Sequence, residues 1–126
     1  MRAVDTNVLV RLLVRDDPDQ VARAEAFVEH GAWVSLPVLV ETVWVLQSVY
    51  GLNRRRIGTV VGMLVEHERL SLQDEDVVRR AHAAFGRTRS TGFTDCLVVE
   101  VARKAGHVPV GTFDGKMSRV DGAHCL

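Results

Sequence analysis

The sequence predicts an α/β fold, a three-layer α/β/α sandwich in which helices cover both faces of a central parallel sheet of four to five short strands. Two observations carry this. Short apolar runs alternate with helix-length stretches along the whole chain, and that alternation is what parallel strands joined by helical crossovers require. With 126 residues, 47% hydrophobic and 25% charged, the chain has the material for one domain, residues 1–126, with a core of ordinary size.

Arg2 to Asp5 reads as the first strand and Asn7 to Val14 as a short helix. Asp17-Pro18 sets a capping carboxylate before a proline at the first helical position, opening a helix that reaches about His30 and stops at Gly31. Ala32 to Ser35 is the second strand. Pro37 starts a strongly apolar helix ending near Tyr50-Gly51, and Asn53 caps the next, which reaches about Arg69. Leu70-Ser71-Leu72 is the third strand. Asp74 to about Arg87 is helical, Gly86 to Gly92 is a loop, and Phe93 to Ala105 is a helix closed by Gly106. Val108 to Thr112 is the fourth strand, although Pro109 within it lacks a ladder donor and favours an edge or a strand start. The tail around His124 to Leu126 adds a short fifth.

Composition narrows the function classes. The formal net charge is zero, so no overall field attracts nucleic acid and any such binding relies on local patches. No apolar stretch approaches the roughly 20 residues that cross a bilayer, and the first residues lack the order of a signal peptide, so no membrane contact and a cytoplasmic location are expected. Cys96 and Cys125 are too few for a disulfide framework or a CxxC metal site and read as buried or incidental thiols. Trp33 and Trp44 read as core residues. The five histidines show no ligand spacing, and a P-loop, a dinucleotide fingerprint and a Ser-His-Asp arrangement are not evident. A phosphoacceptor receiver fails on placement, because Asp5 has no acidic neighbour and no lysine follows the fourth strand where one is needed.

Four acids resist a purely structural account. Glu41, in SLPVLVETVWVL, has Pro37, Val38, Trp44 and Val45 as its helical neighbours and no polar side to face, so burial with a neutralising partner is expected. A buried arginine or backbone donors would serve as well as a metal. In GFTDCLVVEVARKAG, a projection at 100° per residue sets Asp95 beside Val98 and Ala102 on the apolar face and leaves Glu100 among the surface charges with Arg103 and Lys104. Asp95 also lies in the first helical turn, where the helix dipole favours a carboxylate. Asp5 and Asp114 follow the first and fourth strands, at the sheet end where ligand sites gather. Singly, Asp5 could be a helix cap and Asp114 a turn former in Asp-Gly. If the four converge at one rim of the sheet, each like-charge pair near 4 Å costs about 4 kcal/mol at an effective dielectric of 20. Such a cluster needs cations, and carboxylate-only ligation suits a hard ion, Mg²⁺ or Mn²⁺.

The stretches VDTNVLVRLL, SLPVLVETVWVL, FTDCLVVEVARKAG and VPVGTFDGKM, in this order, resemble the PIN-domain ribonucleases, and more narrowly VapC-type toxins of type II toxin-antitoxin pairs. The resemblance implies a PIN-like fold and carries the family's acidic quartet onto Asp5, Glu41, Asp95 and Asp114 as catalytic residues and Mg²⁺ ligands. It implies Thr112 as a supporting hydroxyl and Asn7 as a support for Asp5, Asn7 being otherwise a helix cap. The implied reaction is metal-dependent endoribonuclease hydrolysis of RNA phosphodiesters, leaving a 5′-phosphate and a 3′-hydroxyl. The implied partners are a cognate VapB-type antitoxin and a second copy in a homodimer. Arg87 and Arg89, in the loop before Asp95, are candidates to grip an RNA phosphate, whereas Arg54, Arg55 and Arg56 read as a solvated face. The alternative is a non-catalytic protein- or RNA-binding module of the same fold.

Overall fold

The computed structural model describes all 126 residues. Six helices alternate with five short strands, and every strand pair is parallel, as the fold class requires. The strands pair as two ladders, one of three strands and one of two, and the chain divides into compact units at residues 1–73 and 74–126. No helix is long and apolar enough to cross a membrane.

In the first unit, β1 (Arg2–Ala3), β2 (Ala32–Val34) and β3 (Leu70–Leu72) lie in the order β1-β2-β3. Alternation within β2 and β3 buries Ala32, Val34, Leu70 and Leu72 and turns Trp33 and Ser71 outward. The helices are α1 (Thr6–Val14), α2 (Pro18–Val28), α3 (Leu36–Ser48) and α4 (Arg54–Glu66). Each begins where a short polar side chain accepts a backbone N–H of the first turn: Asp5 for α1, Asp17 for α2, Ser35 for α3 and Asn53 for α4. Leu39, Val43 and Leu46 of α3 and Ile57, Val61 and Leu64 of α4 are almost fully buried. At the end of α3, Tyr50 accepts a 2.8 Å hydrogen bond from Arg11 of α1, whose other amino group pairs with Asp16.

Two expectations fail in this unit. Trp33 and Trp44 are not core residues: they are 38% and 62% exposed. Both stand on outward positions of elements whose other faces already supply the small apolar side chains that fill the interior.

In the second unit, α5 (Glu75–Arg87) and α6 (Phe93–Ala105) form an antiparallel hairpin, followed by β4 (Val110–Thr112), a single 3-10 turn at Met117–Arg119 and β5 (Ala123–Cys125). At one end of the hairpin, Phe85 meets Phe93 edge-to-face with ring centres 6.0 Å apart. At the other, the Lys104 ammonium binds Asp74 at 2.8 Å and Asp76 at 3.1 Å. These contacts raise the Lys104 pKa, through Asp74 first and then Asp76, and lower that of Asp76. The strand β4 begins at Val110 rather than Val108, since Pro109 has no N–H to give the ladder. Gly106 closes α6 in the left-handed conformation, as the sequence indicates. Cys96 is buried, Cys125 is exposed, and both are free thiols.

The assignment of faces on α6 is reversed by the structure. Glu100 is 7% exposed, whereas Val98 and Val101 are 45% and 41% exposed. The inward acid is tolerated because Arg103, one turn on, reaches both of its carboxylate oxygens at 3.3 Å. Arg103 also donates to the Asp121 carbonyl at 2.8 Å, which brings the backbone before β5 against α6. Gly122 makes that approach possible: at φ +99°, an added Cβ would lie 2.6 Å from an Arg103 amino nitrogen and 2.9 Å from a Val99 methyl. Gly122→Ala is therefore expected to lower stability by about 1–2 kcal/mol or more, from left-handed strain alone. Urea unfolding checks this, with Gly115→Ala as a control at a glycine that has open space.

Candidate active site

Asp5 sits between β1 and α1, where its Oδ1 accepts the Val8 N–H at 3.1 Å. It is the helix cap, and Asn7 is not: Asn7 lies within the first turn of α1, one residue past the helix start. A side chain inside the turn has passed the position from which it can reach the free N–H groups. Asp5, Asn7, Arg11, Arg23 and Phe27 line a shallow cavity of about 380 Å³ in the first unit. The second oxygen of Asp5 is left for other use.

Glu41 lies in α3 but is exposed, contrary to the burial expected of it. Its apolar neighbours Pro37 and Trp44 are exposed as well, so an apolar flank here marks a solvent-facing surface. Glu41 needs no neutralising partner to be stable, and no ion pair involves it or Asp5.

Asp95 and Asp114 belong to the second unit. Asp95 is in the first turn of α6, partly withdrawn from water. Burial raises its pKa, and the negative charge of Asp114 raises it further. The Asp114 loop is fixed locally: the Asp114 N–H donates to Thr112 Oγ1 at 3.0 Å, and Asp114 Oδ1 accepts the Lys116 N–H at 2.8 Å. Thr91, buried just ahead of α6, donates its hydroxyl to the Lys116 carbonyl at 2.8 Å. That bond ties the loop leading to Asp95 to the loop carrying Asp114. Sequence reasoning missed Thr91 because its partner is 25 residues away, and nothing local in RTRSTGF distinguishes it from Thr88 or Ser90.

These carboxylates differ from the other acids of the unit. Asp74, Glu75, Asp76, Glu100 and Asp121 all pair with lysine or arginine, whereas Asp95 and Asp114 do not. Two mutually repelling oxygen donors with no protein cation suit a hard divalent ion. Within neither unit do three or more His, Cys, Asp or Glu side chains gather tightly enough to hold a metal by themselves.

A family model described as PIN domain matches residues 2–123, nearly the whole chain, across both units. The chain belongs to the PIN domain family. PIN domains are generally nucleases and typically use divalent metal ions. The six helices and parallel strands fit the PIN-like α/β/α fold. No curated protein matches the chain. Of the two arginines expected to hold substrate in this PIN domain, Arg87 ends α5 and lines a cavity, while Arg89 is exposed in the bend beyond.

The coupling between Asp95 and Asp114 is testable through pH. A carboxyl whose folded pKa is raised binds protons more tightly in the folded state than in the unfolded chain. Stability therefore falls as pH rises from the ordinary aspartate range through the raised Asp95 value. Asp114→Asn removes the Coulombic part and should narrow this window from its upper side. The Asp95 midpoint should move down without reaching its ordinary value, because burial is the larger cause. Carboxyl-carbon NMR titration checks this, and an unmoved midpoint would refute the coupling.

Proposed function

We propose that this PIN domain, read as a single domain over residues 1–126, is a metal-dependent endoribonuclease. In this reading it is the toxin of a VapBC-type toxin-antitoxin pair, a cytoplasmic homodimer silenced by a VapB-type antitoxin. The observation that carries the catalytic reading is the Asp95–Asp114 pair, mutually repelling and left without a basic partner where the other acids of its unit have one. The family match over both units supports the rest of the ligand set, Asp5 and Glu41.

Asp5, Glu41, Asp95 and Asp114 would hold Mg²⁺, with Mn²⁺ as a substitute, as oxygen donors. When bound, the ion supplies a lowered pKa for attacking water and charge stabilisation at the phosphoryl and leaving oxygens. The chain's own part is positional. Thr112 holds the Asp114 backbone, Asp114 in turn orders Lys116, and Thr91 pins that loop to the start of α6. Asn7, two residues past Asp5, lines the same cavity as a support for it, while Arg87 and Arg89 contribute positive charge toward RNA phosphates.

Asp95→Asn keeps the side chain's size and removes its charge. It is expected to reduce cleavage of single-stranded RNA by more than about 100-fold, exceeding what is usual for loss of an indirect metal contact. Far-UV circular dichroism should be unchanged. Gel analysis with Mg²⁺ or Mn²⁺, end-group analysis for 5′-phosphate and a chelator control complete the test. Wild-type protein that binds RNA in the presence of either ion yet leaves it intact would favour a non-catalytic binding module.

A further inference from the structure

The second unit contains a cavity of about 440 Å³ that the carboxylate chemistry does not use. Arg80 and Arg87, two turns apart on one face of α5, line it together with Arg103 of α6 and Arg119 of the 3-10 turn. Two acids, Glu100 and Asp121, complete the charged lining. The balance is positive, since guanidinium groups stay ionised at any working pH.

Neither acid compensates the other three arginines. Glu100 is engaged by Arg103 through both oxygens. The Asp121 side chain is fully in solvent, 3.9 Å from the same Arg103. No ion pair involves Arg80, Arg87 or Arg119. Three guanidinium groups without a close ion pair thus surround one concavity, Arg80 feeling only the longer-range charge of Asp76 one turn before it, beside a fourth that Glu100 and the Asp121 carbonyl hold.

The geometry points to this cavity as a seat for a backbone phosphodiester of single-stranded RNA. Guanidinium forks match phosphate oxygens bidentately, and several forks around one small concavity suit a compact anion better than an extended acidic peptide. The lining has no aromatic ring or side-chain amide, so it offers nothing for bases to stack on and no amide pair for reading base edges. Contact there is to the backbone and independent of sequence. The inference rests on the nuclease reading of the same unit. Arg103 lies eight residues beyond Asp95 on α6, about 12 Å along the axis. A strand seated at the cavity would therefore be held at a fixed spacing from the carboxylate pair, which positions the bond to be cut.

The test uses the full chain carrying Asp95→Asn, so that RNA stays intact, with fluorescence anisotropy of labelled single-stranded oligonucleotides over a range of salt. Adding Arg80→Gln and Arg119→Gln, both at exposed positions, should weaken binding about tenfold or more, equally for different sequences. The salt dependence should become shallower by about 1.4 for two lost phosphate contacts on a single strand. Unchanged affinity and slope would overturn the assignment. So would polyglutamate that binds more tightly than RNA and depends on the same arginines, which would mark a site for an acidic protein segment. Cleavage is scored separately with Asp95 intact. Arginine-dependent RNA binding without cleavage keeps the phosphate seat and removes the nuclease reading. Cleavage that is indifferent to the two arginines, in KM as well as kcat, does the reverse.

Discussion

A carboxylate that is partly withdrawn from water and feels a second negative charge, as Asp95 feels Asp114, has to be held by something other than its own electrostatics. Here the restraint is a short chain of hydrogen bonds: the Asp114 N–H to Thr112, the Lys116 N–H to the Asp114 carboxylate, and the Thr91 hydroxyl to the Lys116 carbonyl. Each is worth about 1–2 kcal/mol net, and together they fix the loop that joins α5 to α6 against the loop that follows β4. The hairpin itself is clamped at one end by two phenyl rings and at the other by a lysine shared between two aspartates. The unfavourable charge pair is thus supported by interactions that do not neutralise it, which leaves it available to a cation from solution.

The same unit treats its other acids in the opposite way. Glu100 is more buried than Asp95 yet has its charge met by Arg103, and Asp74 and Asp76 share Lys104. The contrast between satisfied and unsatisfied carboxylates separates scaffold from chemistry more sharply than depth does. Depth alone would have selected Glu100.

What the sequence disclosed, and what it concealed, follows from the range of the interactions involved. The helix Phe93–Ala105 and the strand Leu70–Leu72 were readable to the residue because their ends carry local signals, Gly92 and Gly106 for one and an apolar-polar-apolar alternation for the other. The positions of Asp5 and Asp114 after strands were readable for the same reason. Burial was not. Glu41 among valines and Trp44 looks interior, but a helix apolar on every side gives no hint of which side meets water. On α6, the projection counted Arg103 as evidence that Glu100 was outside, when Arg103 is what allows Glu100 inside. Thr91 was invisible because its meaning resides in a partner 25 positions later.

The cap at Asp5 divides one side chain between two tasks, atom by atom. Oδ1 is engaged in starting α1, so only the opposite oxygen is free to meet an ion. An amide in place of the acid would still present an oxygen to Val8 and begin the helix, while surrendering the charge. The fold at this position therefore asks for the oxygen more than for the charge, and loss of function there need leave little trace in folding.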